Sequence, residues 1–136
     1  MRTNVFGAVS AVLVALEGLG LAALVLRQIL AVTGGDTASI ESALALIVLT
    51  LVGAIAVLAF ALAIWRGRSW GRSGGIVTQL LILAVALGAV TGAFATPSLA
   101  LALAVPAILT LILLVLAVRA AGRAERGTEP TDAAKS

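Results

Sequence analysis

Glu17 is the residue whose chemistry most needs an account. It stands in an apolar run from Val5 to Leu26, and a charged group at the centre of a bilayer is disfavoured by roughly 3 kcal/mol on insertion scales. Such a residue faces protein and finds a partner, or stays protonated. On a helix turning about 100° per residue, Ser10, Glu17 and Gln28 fall within about 20° of one another, so they form one sparse polar stripe. Two readings follow. In one, Glu17 titrates or binds a cation in a transport path; in the other, a protonated or hydrogen-bonded Glu17 locks helices together.

Depth along antiparallel helices ranks its partners. Counting inward from Gly34 and Thr96 brings Thr78 and Gln79 close to the level of Glu17, and Thr50 lies within about a turn of it. Gln79 is the expected partner, because an amide can donate to a carboxylate and accept from a carboxylic acid. A second polar pair, Arg27 and Glu41, lies on opposite arms of a short hairpin. The expectation there is an ion pair, with an Arg27 that snorkels to headgroups as the alternative.

The third constellation is Trp65-Arg66-Gly67-Arg68-Ser69-Trp70-Gly71-Arg72. Indole rings favour the membrane interface and guanidinium pairs with phosphate, so Trp65, Arg66, Arg68, Trp70 and Arg72 are expected to set topology and hold anionic lipid. Stacking on nucleic acid needs more room than so short a segment offers, so no nucleic-acid partner is expected. The chain contains neither cysteine nor histidine, which removes thiolate nucleophiles, imidazole bases and most transition-metal sites. One isolated Glu with scattered hydroxyls makes no acid–base pair, so no catalytic residue, metal or cofactor is expected and the protein is not read as an enzyme.

The elements that position these residues follow from composition. Of 136 residues, 62% are hydrophobic and 11% charged, whereas a soluble domain is roughly a quarter charged. There is too little polar surface to wrap such a core in water. A hydrocarbon layer about 30 Å thick needs about 20 helical residues, and four such runs are present, at about 5–33, 37–65, 74–95 and 97–118. Gly34 and Gly35 close the first, Asp36 or Thr37 caps the second, and Thr96-Pro97 divides a charge-free stretch twice as long as one crossing requires. Arg2 ahead of an apolar run is also how a secretory signal begins. Here the run continues past Glu17 without an A-x-A site, so the first helix is expected to be retained.

Basic residues fall at Arg2, Arg66, Arg68, Arg72, Arg119, Arg123, Arg126 and Lys135 on one side, while the other side holds Asp36 and Glu41, with Arg27 just inside the helix end. The positive-inside rule then predicts an all-α membrane fold, a four-transmembrane-helix up-down-up-down bundle with both termini cytoplasmic. The transmembrane domain is assigned to 1–126 and a disordered cytoplasmic tail to 127–136. Gly88 and Gly92 form a small-xxx-small pattern expected to pack helices, within the bundle or between two copies. Pro106 is expected to bend the last helix and to leave the Ala102 carbonyl without its usual donor.

The basic-aromatic segment, followed by Ile76-Val77-Thr78-Gln79-Leu80-Leu81, resembles a group of small four-span integral membrane proteins of actinobacteria that have no assigned activity. Those proteins show an R-x-R-x-W-A-R loop and a Q-L-L helix start, and Gly71 here replaces the alanine. The resemblance implies a multi-pass protein of the bacterial cytoplasmic (inner) membrane and carries no functional residues with it. A first-helix acid in a short four-span chain is also similar to small multidrug resistance transporters. Their aromatic-rich chambers have no counterpart in a chain that is 4% aromatic, nor is the Phe-rich pore of fluoride channels present.

The functional expectation is a non-enzymatic scaffold or accessory protein that binds lipid, a membrane-protein partner or further copies of itself. The alternative is a small oligomeric transporter or channel built around Glu17.

Overall fold

The computed structural model describes residues 5–128. All the regular structure in them is helical: α1 (Val5–Thr33), α2 (Ile40–Trp65), α3 (Ser69–Thr91) and α4 (Pro97–Thr128). Each is long and apolar enough to cross a membrane. The chain is therefore a multi-pass membrane protein by the length and composition of its helices.

Local sequence explains where the helices stop. Gly35 and Gly67 have φ of 75° and 72°, a left-handed backbone that glycine adopts without a Cβ clash. Each forms the same helix ending. Gly35 N–H bonds the Val32 carbonyl at 3.1 Å and Asp36 N–H bonds Ala31 at 2.9 Å; Gly67 N–H bonds Ile64 at 2.9 Å and Arg68 N–H bonds Ala63 at 2.8 Å. This is the Schellman arrangement, which satisfies carbonyls that a helix end otherwise leaves bare. The second instance reverses the chain within Arg66–Arg68, so α3 begins at Ser69 rather than at Gly74. Trp70 and Arg72 consequently belong to the first turns of α3. The Arg72 guanidinium ties that helix start to the turn, donating to the Gly67 carbonyl at 3.1 Å.

Three further boundaries differ from the expected ones. The α2 cap is Ser39, whose hydroxyl accepts from Ser42 N–H, in place of Asp36 or Thr37. α3 ends at Thr91, four residues before Ala95, because Gly92 turns to an extended conformation with its N–H on Gly88. α4 runs to Thr128, beyond Val118, through a stretch in which three Ala and three Arg favour helix despite Gly122 and Gly127. Gly127 and Thr128 of the expected tail are thus helical, and the rest of that tail, 129–136, lies outside the described residues. Pro97 occupies the first position of α4, where its missing N–H costs nothing.

The helices form a ring of contacts in which α1 touches α2 and α4, and α3 touches α2 and α4, leaving α1 and α3 on opposite corners. The buried core consists of Ala11, Val14, Val57, Ala61, Ile64 and Leu114, with Ala15, Leu21, Phe60 and Ile76 packed on it. Many large apolar side chains point outward, Leu49, Leu81 and Leu101 among them. That inversion suits lipid as the surrounding solvent.

Gly88 and Gly92 do not pack helices within this bundle. A Cβ at Gly88 would meet nothing within 4 Å, and one at Gly92 would meet only the Gly88 carbonyl. The same four-residue spacing recurs at Gly71, in the segment whose charges suggest a loop, and Gly75, at the start of the expected third run. There it brings helices together. A Cβ on Gly71 would lie 2.5 Å from Ala63 Cβ and 2.7 Å from Ile64 N, and one on Gly75 would lie 3.0 Å from Leu114.

Candidate functional site

Glu17 lies near the middle of α1, Gln79 near the middle of α3 and Thr110 in the apolar part of α4. They come from three helices and meet inside the ring. Gln79 Nε2 donates to Glu17 Oε2 at 2.7 Å, within the range of a charge-assisted bond. Because α1 and α3 occupy opposite corners, this bond spans the diagonal of the bundle. Gln79 is wholly buried, as is Thr110, while Glu17 keeps partial exposure.

Thr110 lies against the same carboxyl, yet its hydroxyl makes no hydrogen bond of normal geometry. The carbonyl oxygen of Gln79, Oε1, is likewise buried without a partner. A hydroxyl can donate one hydrogen bond and accept two, and an amide oxygen only accepts. The centre of the bundle therefore presents a carboxyl group with two underused oxygens beside it.

Ser10 of the polar stripe and the depth candidates Thr78 and Thr50 do not join this cluster. Ser10 is fully buried and donates to the Phe6 carbonyl at 2.6 Å. Thr78 donates to the Gly74 carbonyl at 2.9 Å. Thr50 donates to Leu46 at 2.7 Å and accepts from Gln28 Nε2 at 3.2 Å. This Gln28–Thr50 bond links α1 to α2 and joins a residue of the polar stripe to one that depth placed near Glu17. Backbone bonding of this kind is the ordinary fate of Ser and Thr inside helices.

Arg27 and Glu41 do not form the expected pair. Both are exposed, and among the described residues no ion pair joins them. Similar depth on neighbouring helices does not bring two side chains onto facing sides. At the α2–α3 turn, Trp65, Arg66, Arg68 and Trp70 are exposed and Arg72 is partly buried. Trp70 meets Phe60 edge to face, with ring centroids 6.0 Å apart.

Sequence reasoning missed Thr110. Its available signal was a hydroxyl four residues after Pro106, in an otherwise apolar stretch of α4. It also missed Gln28–Thr50, for which no spacing argument was at hand. No group of three His, Cys, Asp or Glu side chains that could hold a metal occurs among the described residues.

Compared with protein-family models, with curated proteins and with solved structures, the chain matches none of them.

Proposed function

We propose that this protein is a non-enzymatic membrane scaffold or accessory subunit that binds anionic lipid and a membrane partner or further copies of itself. The observation that supports this most directly is the Glu17–Gln79 bond at 2.7 Å. It uses the one acid within the first span as an internal strut between opposite helices. What remains for recognition is the outward apolar surface and the exposed basic turn at Arg66 and Arg68. Apolar helix faces bind lipid tails or partner helices, and guanidinium groups bind phosphate.

The proposed setting is the bacterial cytoplasmic membrane, in line with the resemblance to actinobacterial four-span proteins. The helices run up-down-up-down with both termini and the Arg66–Arg68 turn in the cytoplasm. The chain lacks cysteine, so single cysteines at Ser69 and Thr37 report orientation cleanly. Membrane-impermeant thiol labelling of intact cells is expected at Thr37→Cys and not at Ser69→Cys.

The unpartnered Gln79 Oε1 and Thr110 hydroxyl favour a second reading, transport that uses Glu17 as a titratable carboxylate. Flux measurements separate the two. Purified protein in vesicles containing phosphatidylglycerol is expected to retain that lipid and to pass no more protons or sodium than protein-free vesicles. Replacing Arg66, Arg68 and Arg72 together with Gln is expected to lose the lipid. A flux abolished by Glu17→Gln would sink the scaffold reading.

A further inference from the structure

Buried oxygens without partners are rare in folded proteins and ask for an explanation. Among the described residues three such oxygens occur, Gln28 Oε1, Gln79 Oε1 and Thr110 Oγ1; the last two belong to wholly buried side chains that border one carboxyl group, Glu17. We propose that Glu17, Gln79 and Thr110 form a binding site for a single monovalent cation, a proton or a sodium ion. The site rests on the second reading of Glu17 as a titratable carboxylate, and binding is measured apart from flux, so either can fail alone.

The donor set selects the ligand class. Carboxylate, amide carbonyl and hydroxyl are hard oxygen ligands, suited to hard cations and to protons. One carboxylate balances one positive charge. Calcium takes six to eight oxygens, commonly with several carboxylates, and magnesium keeps much of its water, which an apolar bundle with one acid does not provide. Soft metals need thiolate or imidazole, and the chain has neither.

The Gln79 amide supplies the exchange. With Nε2 toward Glu17, its positive edge stands where a cation would. The terminal amide torsion is broad and nearly twofold, so a half-turn places Oε1 toward the carboxyl and Nε2 away from it. In the proton-bound form the Glu17 O–H, made by adding one proton to the carboxylate, donates to Oε1. In the sodium-bound form the carboxylate, Oε1 and the Thr110 hydroxyl all offer lone pairs to the ion.

No other charge competes for this position. On α1 the next charged residue is Arg27, and α2 has none between Glu41 and Arg66. On α3 Arg72 is already bonded to the Gly67 carbonyl, and on α4 the nearest is Arg119. Each lies seven or more residues from the site member on its own helix, about 10 Å or more along the axis. Glu17 is partly exposed, so its carboxyl is not sealed within the core.

The test uses the full chain in detergent and follows the thermal unfolding midpoint and the infrared carboxylic C=O band. Sodium chloride is titrated against N-methylglucamine chloride at constant ionic strength, and pH is varied separately without sodium. A saturable sodium response absent from Glu17→Gln identifies sodium. A C=O band that fades with rising pH and is missing from Glu17→Gln, without a sodium response, identifies the proton. Thr110→Val, which keeps shape and removes the hydroxyl, is expected to weaken half-saturation about tenfold and keeps the test alive if Glu17→Gln does not fold. A folded wild-type protein that ignores both sodium and pH overturns the proposal. So does a response that survives in Glu17→Gln, or a sodium response that Thr110→Val leaves unchanged.

Discussion

Around the α2–α3 turn, Ile64 is 1% exposed and Leu114, from α4, is fully buried against the same cluster. Around the α3–α4 turn, Phe94 is 94% exposed, and every residue from Val90 to Leu99 is on the surface. Both regions contain a pair of glycines four residues apart, the first beside Arg66, Arg68 and Arg72 and the second in a stretch without charge. They differ in what the glycines touch. Gly71 lets α3 lie on the backbone of Ala63 and Ile64, and Gly75 admits Ile64 and Leu114, whereas Gly88 approaches nothing. In lipid, apolar composition alone gives helices no reason to associate, and close packing must supply it. The contrast teaches that in this chain contact depends on whether the backbone can approach.

The largest effect is expected where a side chain would intrude on backbone. Gly71→Val should destabilise the protein by about 3 kcal/mol, since Ala63 and Ile64 main-chain atoms cannot move aside as a flexible side chain would. Gly88→Val should change stability by less than about 0.5 kcal/mol. Both are read from unfolding in detergent at increasing dodecyl sulfate. Equal losses would mean that the two regions do not differ.

Next comes the central strut. Gln79→Leu removes the donor to Glu17 and leaves a carboxyl inside the ring without it, at a cost of about 2 kcal/mol. Gln28→Leu removes the longer bond to Thr50, 3.2 Å against 2.7 Å, between neutral groups nearer the loose region. About 1 kcal/mol or less is expected. The same titration checks the order, and a reversed order would place the structural weight of the polar residues away from Glu17.

A smaller effect should come from the aromatic pair beside the tight turn. Trp70→Ala loses the edge-to-face contact with Phe60, worth about 1 kcal/mol. Phe94→Ala, at a side chain with almost no protein contact, should be neutral within about 0.5 kcal/mol. A neutral Trp70→Ala would show that the ring serves the interface rather than the bundle.

The sequence makes some of this contrast legible and hides the rest. Four helices follow from apolar runs, from Gly35 at the first break and from Pro97 at the last. Glu17 announces its need for a donor; depth narrows the choice to Thr78, Gln79 and Thr50, and amide chemistry selects Gln79. The start of α3 is hidden because Arg68, Trp70 and Arg72 look like a loop, although a left-handed Gly67 needs only three residues to turn the chain. Thr110 is hidden for a different reason. Depth can be counted along a helix, but which face of α4 turns toward α1 depends on packing at Leu114 and Gly75. The same ignorance of rotation explains why Arg27 and Glu41 were paired by level and yet do not meet, and why Gly88 and Gly92 advertise a seam that this bundle does not use.

The smallest expected effect tests the loose region by its own means of order. Buried side chains on α2 begin only at Ala54, so the first turns of that helix have little packing to hold them. What they have is a cap. Ser39 accepts from Ser42 N–H at 3.4 Å, a long bond on an exposed turn, and Ser39→Ala should cost about 0.5 kcal/mol, at the low end for N-caps. The loss should be local. Amide exchange is expected to speed up within Ile40–Ala45 and stay unchanged around Ile64. Faster exchange at Ile64 as well would mean that the two regions unfold as one unit, and the distinction between a packed region and a merely capped one would fail.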